Sequence, residues 1–343
     1  VTVAAPIDPE IGRMFLKTMM MIRTFEEKCI VHYTAGLIRG FLHLYIGEEA
    51  VATAVCHHLV DDDVIFATYR EHGHALARGL DPGRIMAEMF GKAQGVSGGR
   101  GGSMHLFAAD RHFIGGNAIV ASALPMAVGY GLGLKKQKKD GVVVCFFGEG
   151  AMAEGAFHEA MNLASLWQVP VLFVCENNLY AMGTALERSQ SQTNLCLKAQ
   201  SYMVRASSVD GMNVLAVHDA VKNILHDIRT LPEPYFLECK TYRFRAHSMF
   251  DPDLYRDPAE VSLWKKRDPI DALIATLKAD NSLDEKDLAS LREEVQKVVD
   301  EASQYAAGGD TEPVSDLYKY VYSEGPNSSS LGDSGPHSSE ISL

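Results

Sequence analysis

The sequence lacks a paired cysteine motif, an excess of basic residues and any long uninterrupted apolar run, and each absence closes off a class of function. Its six cysteines (Cys29, Cys56, Cys145, Cys175, Cys196 and Cys239) are scattered with no CxxC pair, which argues against a disulfide framework and for a reducing compartment. Cys145 and Cys175 stand inside apolar runs, where a thiol behaves as a small hydrophobe. With 32 Lys and Arg against 44 Asp and Glu, the formal net charge is −12. Such a chain repels nucleic acid on average, because recognition of phosphates needs a basic face. The one basic run, Lys135 to Lys139, is followed at once by Asp140-Gly141 and reads as a solvated helix end and turn. The longest weakly polar stretch, Ala118 to Leu134, is broken by Pro125, Gly129, Gly131 and Gly133, so it is too interrupted for a membrane span. No signal-peptide pattern is read at the start; the chain opens on Val1, which leaves an upstream segment open.

What is present fits a folded α/β protein. At 343 residues, 47% hydrophobic and 22% charged, the chain can bury one large core or two ordinary ones. Apolar residues recur at helical spacing from Glu10 to about Tyr33, and again from Glu48 to Leu59. The segment Gly91 to Gly116, with Ser97-Gly98-Gly99-Arg100-Gly101-Gly102-Ser103 at its centre, reads as a loop with close backbone approaches. Val142 to Phe147 has the continuous apolar character of a strand covered on both faces. A helical pattern then runs to Trp167, and Pro170 introduces a second strand, Val171 to Cys175. Strand, helix and strand at this spacing make a βαβ unit, hence a parallel sheet. A further helix (Val214 to Arg229) and strand (Tyr235 to Lys240) continue the alternation. The fold class is therefore α/β, an open, mainly parallel sheet covered by helices on both faces. Two amphipathic helices are expected between Asp268-Pro269 and Ala306. The Ser-, Gly- and Pro-rich end, 323–343, has too little to bury to offset its ordering entropy and is expected to be disordered.

In an open α/β sheet, ligands bind beyond the carboxyl ends of the strands, and two consecutive strand ends here are unusually polar. The first is Gly148-Glu149-Gly150-Ala151. A carboxylate between glycines, after a strand and before a helix, sets an anionic oxygen beside exposed N–H groups. That suits a divalent cation held together with a diphosphate. The second is Glu176-Asn177-Asn178-Leu179-Tyr180, with Asn178 lying 29 residues after Glu149. One helix and one strand fit that interval, so both ends reach the same sheet edge. The Asn178 side-chain carbonyl and a backbone carbonyl near Tyr180 are hard oxygen ligands suited to Mg²⁺. Either segment alone reads as a turn or a strand terminus; the pair at this spacing reads as a site. No fingerprint glycine turn followed by an acidic residue supports a dinucleotide fold instead.

These segments carry a resemblance. Gly148-Glu149-Gly150 through Asn177-Asn178 looks like the thiamine-diphosphate motif. The chain from about Met14 to Asp268 resembles α subunits of the 2-oxo acid dehydrogenase decarboxylating component, pyruvate-type above all. The distinctive blocks are Phe41-Leu42-His43-Leu44-Tyr45, Thr68-Tyr69-Arg70-Glu71-His72-Gly73, Gly101-Gly102-Ser103-Met104-His105, Glu176 through Thr184, and Tyr242-Arg243-Phe244-Arg245-Ala246-His247-Ser248. The resemblance implies a thiamine-diphosphate-binding fold with a helical arm (1–40), an α/β domain (41–260), helices packed on that domain (261–322) and the tail. It implies thiamine diphosphate and Mg²⁺ as cofactors, with Glu149, Asn178 and Tyr180 at the metal. Tyr69, Arg70, Ala118, Val120, Gly148, Gly150, Ala151, Asn178, Arg243 and His247 match positions around the cofactor, and His43 and His247 match positions of catalytic weight. His43 also has the apolar setting of a satisfied core histidine. His72, His74 and His105 imitate a metal cluster but are read as structural or loop-ordering, since nothing else supplies a closed zinc shell.

Three departures from the family pattern matter. Glu149 stands where the pyruvate-type motif usually has Asp; the branched-chain members share the Glu, which keeps a hard oxygen but softens the substrate reading. Ala118 replaces a more usual glycine. Ser248 matches the serine that kinases modify in mitochondrial relatives, where a phosphate would inhibit by repulsion, yet Asp251 to Arg256 is shorter and lacks the second serine. The resemblance further implies a β chain that completes the site in an α₂β₂ assembly, and acyl transfer to a lipoyl group on a dihydrolipoyl transacetylase core. The expected reaction is oxidative decarboxylation of pyruvate. An acetoin dehydrogenase α subunit and a non-catalytic diphosphate-binding scaffold stay open beside it. The compartment would be the cytoplasm for a bacterial source, and the mitochondrial matrix or plastid for a eukaryotic one.

Overall fold

The computed structural model describes residues 8–321, so the tail read as disordered lies outside the described residues. Helix α1 (Pro9–Thr34) starts where Asp8 accepts a hydrogen bond from the Glu10 N–H and Pro9 takes the first helical position. Helix α2 (Glu49–His57) follows, then strand β1 (Val64–Phe66), α3 (His72–Ala77), α4 (Pro82–Met89) and strand β2 (Phe113–Gly115). Next come α5 (Ala123–Gln137), β3 (Val143–Gly148), α6 (Gly155–Trp167) and β4 (Val171–Asn177). A two-residue hairpin, β5 (Tyr180–Ala181) with β6 (Thr184–Ala185), leads through α7 (Leu186–Ser189) and α8 (Leu195–Gln200) to β7 (Arg205–Asp210). The chain continues through α9 (Val214–Thr230), β8 (Tyr235–Lys240), α10 (Pro258–Lys265), α11 (Pro269–Ala279) and α12 (Glu285–Ala307).

Six of the strands form one parallel sheet in the order β2-β1-β3-β4-β8-β7. Because side chains alternate along a strand, each central strand feeds two cores. Val144 and Phe146 of β3, with Leu172 and Val174 of β4, join α1, α2, α9, α11 and α12 in one apolar cluster. Val143, Cys145 and Phe147, with Val171, Phe173 and Cys175, join α5, α6 and α8 in the other. Helices thus cover both faces, as the uninterrupted apolar runs required. Helices α1 and α12 contribute to the same cluster as the strands.

Where the structure adds elements, the reason is local. Strand β2 emerges from the end of the glycine-dense segment read as loop, pairing only through three residues at the sheet edge. Strand β7 is the other edge; its Ser-rich, half-exposed sequence gave no apolar run to read. Helix α5 runs through the glycine-broken stretch. Gly131 explains one of the breaks, since a Cβ there would lie 2.9 Å from a Val171 methyl, so the small residue lets the helix lie close on β4. Among the described residues, no helix is long and apolar enough to cross a membrane.

The chain runs from β1 out to β2 and returns across β1 to β3. This reversal opens a crevice at the strand carboxyl ends, where an α/β sheet binds ligands.

Candidate active site

At that crevice lies a cavity of about 940 Å³. It collects the ends of β1 (Ala67 to Arg70), β3 (Gly148 to Ala151) and β4 (Glu176, Asn178), the loop Asn117 to Ala121 after β2, the β5–β6 hairpin, and Arg243, His247 and Ser248 beyond β8. Every residue named in advance as a cofactor, metal or catalytic candidate lines it: His43, Tyr69, Arg70, Ala118, Val120, Gly148, Glu149, Gly150, Ala151, Asn178, Tyr180, Arg243 and His247. His72 and His74 do not; they are buried in polar contacts behind it. His72 pairs with Glu26 at 2.9 Å and with Ser103, and His74 meets Glu176 Oε1 at 3.0 Å. Glu26, which holds His72, also accepts from the Tyr45 N–H. His105 is exposed.

Glu149 and Asn178 meet. Strands β3 and β4 are neighbours in register, Gly148 opposite Glu176, and the Asn178 N–H donates to Glu149 Oε2 at 3.2 Å. The other oxygen, Glu149 Oε1, is buried and has no hydrogen-bond partner among the described residues. Burial pushes the Glu149 carboxyl above its usual range. An unpartnered buried oxygen costs free energy on the order of 1–3 kcal/mol, so its presence here calls for a function.

Glu48, which sequence reasoning passed over as the start of a helix, completes the group. It precedes α2, is buried, and its Oε1 accepts from Asn178 Nδ2 at 3.0 Å. That bond fixes which way the Asn178 amide faces: its nitrogen is committed to Glu48, leaving Oδ1 with only a long 3.4 Å contact from the Tyr180 N–H. Glu48 Oε2 is also unpartnered among the described residues; its nearest cation is Arg70 Nε at 3.9 Å. Burial and the neighbouring Glu176 raise the Glu48 carboxyl to about 7. The available signal was the doubled acid after Gly47. Gly47 has φ +104° and a Cβ there would meet the Tyr242 carbonyl at 2.3 Å, so this turn is pressed against the end of β8.

The two buried arginines that line the cavity are tied to backbone. Arg70 donates to the carbonyls of Leu44 (2.7 Å) and His247 (2.8 Å). Arg243 donates to the carbonyls of Tyr180 (3.4 Å) and Met182 (3.3 Å) and to the Tyr255 hydroxyl (3.0 Å). The Tyr180 carbonyl proposed for a metal therefore already has a guanidinium on one side; its second lone pair is the one left for a cation. Gly150 serves packing: a Cβ on it would lie 2.5 Å from Ala181 Cβ. Ala118 and Val120 are on an exposed loop at the cavity mouth.

His43, Tyr69 and His247 pack together in tilted and edge-on contacts, with ring centroids 4.5 Å (His43–Tyr69) and 5.0 Å (His43–His247) apart. Burial, then the positive charge of Arg70, lowers His43 to about 2 and His247 to about 3. Both rings are therefore neutral near pH 7, and each keeps a buried Nδ1 without a partner among the described residues. Neutral imidazoles beside fixed guanidinium charge can hold or pass a proton at those nitrogens. Ser248 also lines the cavity but is buried.

A cation and an anion together fit this donor set. Glu48 and Glu149 each bring a buried carboxylate oxygen without a partner among the described residues, which a divalent ion would satisfy. Arg70, Arg243 and the two histidines line the same cavity and supply positive and donor groups.

Residues 17–314 match the family model described as dehydrogenase E1 component. The chain is 42% identical over 309 residues to the pyruvate dehydrogenase E1 component subunit alpha of Zymomonas mobilis, covering 90% of this chain and 87% of that protein. It is 38% identical to the like-named subunit of Rickettsia bellii, over 92% of this chain and 97% of the relative. It is also 38% identical to the chloroplastic pyruvate dehydrogenase E1 component subunit alpha-3 of Oryza sativa, over 95% of this chain and 78% of the relative.

Proposed function

Because the chain belongs to the dehydrogenase E1 component family, we propose that it is the α subunit of a pyruvate dehydrogenase, catalysing oxidative decarboxylation of pyruvate. The observation that carries the reading is the meeting of Glu149 and Asn178 at adjoining strand ends, with unpartnered carboxylate oxygens on residues that line a common cavity. Glu149, Asn178 and the Tyr180 carbonyl would hold Mg²⁺, with Glu48 orienting the Asn178 amide. Gly148, Gly150, Ala151, Tyr69, Arg70, Arg243 and His247 would surround thiamine diphosphate, with Ala118 and Val120 at the cavity mouth. When bound, thiamine diphosphate supplies the electron sink that decarboxylation of a 2-oxo acid requires.

The chain's own residues then do three things. Arg70 and Arg243, anchored on backbone carbonyls, keep positive charge fixed beside the diphosphate without having to reorganise. His43 and His247, neutral and facing the cavity, hold or move a proton at Nδ1. The buried wall formed by Phe146 and Phe147 keeps water from the reacting centre. Exposed apolar residues on the mouth loop, Ile119 and Val120, fit a site completed by a β chain in an α₂β₂ assembly that passes its acyl group to the lipoyl group of a dihydrolipoyl transacetylase. A kinase would reach Ser248 only after the loop carrying it opened.

The test is turnover of the complex assembled with its β chain, given thiamine diphosphate, Mg²⁺ and an electron acceptor. Release of CO₂ from pyruvate, lost in Glu149→Ala and Asn178→Ala, is the expected result. Turnover of acetoin in place of pyruvate would move the reading to an acetoin dehydrogenase. Turnover unaffected by either substitution would leave only a scaffold role for the cavity.

A further inference from the structure

Away from the cavity, three histidines from two helices converge. His57 is the last residue of α2, His58 caps that helix, and His218 lies in the second turn of α9. One ring nitrogen of each lies within 4.8 Å of the other two. His58 Nε2 is 2.9 Å from His218 Nδ1 and 3.1 Å from the His218 carbonyl. The ring centroids are 5.0 Å (His57–His58), 5.6 Å (His57–His218) and 4.5 Å (His58–His218) apart. Phe15 of α1 stands edge-on to His57 and His218 and closes the inner side, while all three histidines remain partly exposed on the outer side.

We propose that His57, His58 and His218 form a site for a divalent transition-metal ion of the zinc class, with solvent in the remaining position. A tetrahedral ion with metal–nitrogen bonds of roughly 2.0–2.1 Å sets its ligand atoms about 3.4 Å apart. His58 Nε2 and His218 Nδ1 lie 2.9 Å apart and the three ligand atoms all lie within 4.8 Å of one another, so small ring rotations suffice. The ion needs a lone pair from both His58 Nε2 and His218 Nδ1, whereas their present contact needs one N–H between them. Binding therefore moves one proton to the far nitrogen of the same ring, with no net proton released and no change of oxidation state. Burial lowers all three histidines, His58 to about 4, so the rings are neutral and ready as ligands near pH 7. Of the charged neighbours, Asp219 favours a cation and Lys222 opposes it.

The ion would clip α2 to α9. The opposite end of α2, about 14 Å away at 1.5 Å per residue, begins after Glu48, so the clip would steady the helix that leads away from the cavity without touching the cavity itself.

Zinc titration by calorimetry on the complex already saturated with thiamine diphosphate and Mg²⁺ tests this, with Co²⁺ absorption as the report on ligand type. The expected result is one Zn²⁺ per chain and a tetrahedral, nitrogen-ligated Co²⁺ spectrum in the native chain and equally in Glu149→Ala. His58→Gln and His218→Gln should weaken binding by at least on the order of a hundredfold. Zn²⁺ should raise the melting temperature of the native chain and leave that of each histidine variant unchanged. Comparison of each variant with its own metal-free midpoint removes any folding defect. Absence of binding by the native chain, or equal binding and equal thermal shift in the histidine variants, overturns the site and leaves an aromatic packing cluster.

Discussion

Two glutamates in glycine-rich surroundings, Glu88 and Glu149, show how differently the same sequence signal can resolve. Both are buried. The loop Ser97 to Gly102 has the glycine density of a phosphate cradle, yet it turns its N–H groups inward onto the chain's own carboxylate. Ser97 and Gly99 donate to Glu88 Oε2 at 2.8 Å each, and Gly101 and Gly102 donate to Oε1 at 2.6 and 3.2 Å. Gly95 has no room for a Cβ, which would run into the Glu88 carboxylate. Glu149, by contrast, receives a long bond on one oxygen and nothing on the other. One carboxylate is a structural hub; the other keeps an oxygen with no partner among the described residues. Glycine density marks close backbone approach, and only the hydrogen-bond inventory tells which kind.

Substitution sharpens the contrast most. In the assembled complex, Glu149→Ala should cut turnover beyond about a hundredfold, the upper range for outer-shell partners of a metal, with an unchanged or raised denaturation midpoint because an unpartnered buried oxygen is removed. Glu88→Ala should do the reverse. It strands four N–H groups at about 1–3 kcal/mol for each that stays unsatisfied, so the urea midpoint should drop by an amount corresponding to several kcal/mol. Equal stability losses in the two variants would erase the comparison.

Smaller effects follow along the same line. Glu48→Ala releases the Asn178 amide to rotate, and the Mg²⁺ dependence of turnover should shift by about tenfold with a smaller change at saturating metal. Gly150→Ala forces a methyl into Ala181, and overpacking of this kind costs about 1–3 kcal/mol; the melting temperature should fall, with turnover partly retained. The smallest effect concerns pH. His43 and His247 have folded pKa values held far below the ordinary 6.5, so the unfolded chain takes up more protons in acid. Their contribution to stability is complete above about 6.5 and is lost as the pH falls below it. Denaturant midpoints measured from pH 8 to pH 5 should decline more gently in the His43→Gln/His247→Gln double variant than in the native chain.

The sheet's centre was legible because both faces of β3, β4 and β8 are covered, which favours continuous apolar runs. The edges were not: β2 has three residues and β7 is Ser-rich and half-exposed, so neither carries a patterning signal. The meeting of Glu149 and Asn178 was legible because the interval between them equals one helix and one strand. Glu48 was hidden, being brought to Asn178 from 130 residues away in sequence by a turn that no local pattern announces. The three-histidine cluster was hidden for the same reason, as 160 residues separate His58 from His218. Glycine roles were half legible: the need for a small residue at position 150 could be read, but not that Ala181 imposes it.

Mn²⁺ binding followed by electron paramagnetic resonance, with the complex and thiamine diphosphate present, bears most directly on the strand-end site. The native complex should immobilise one Mn²⁺ per α chain. Glu149→Ala and Asn178→Ala should lose it, and His58→Gln should retain it. Mn²⁺ held as tightly by Glu149→Ala as by the native chain would mean that the cation sits elsewhere and that the two strand ends meet for another reason.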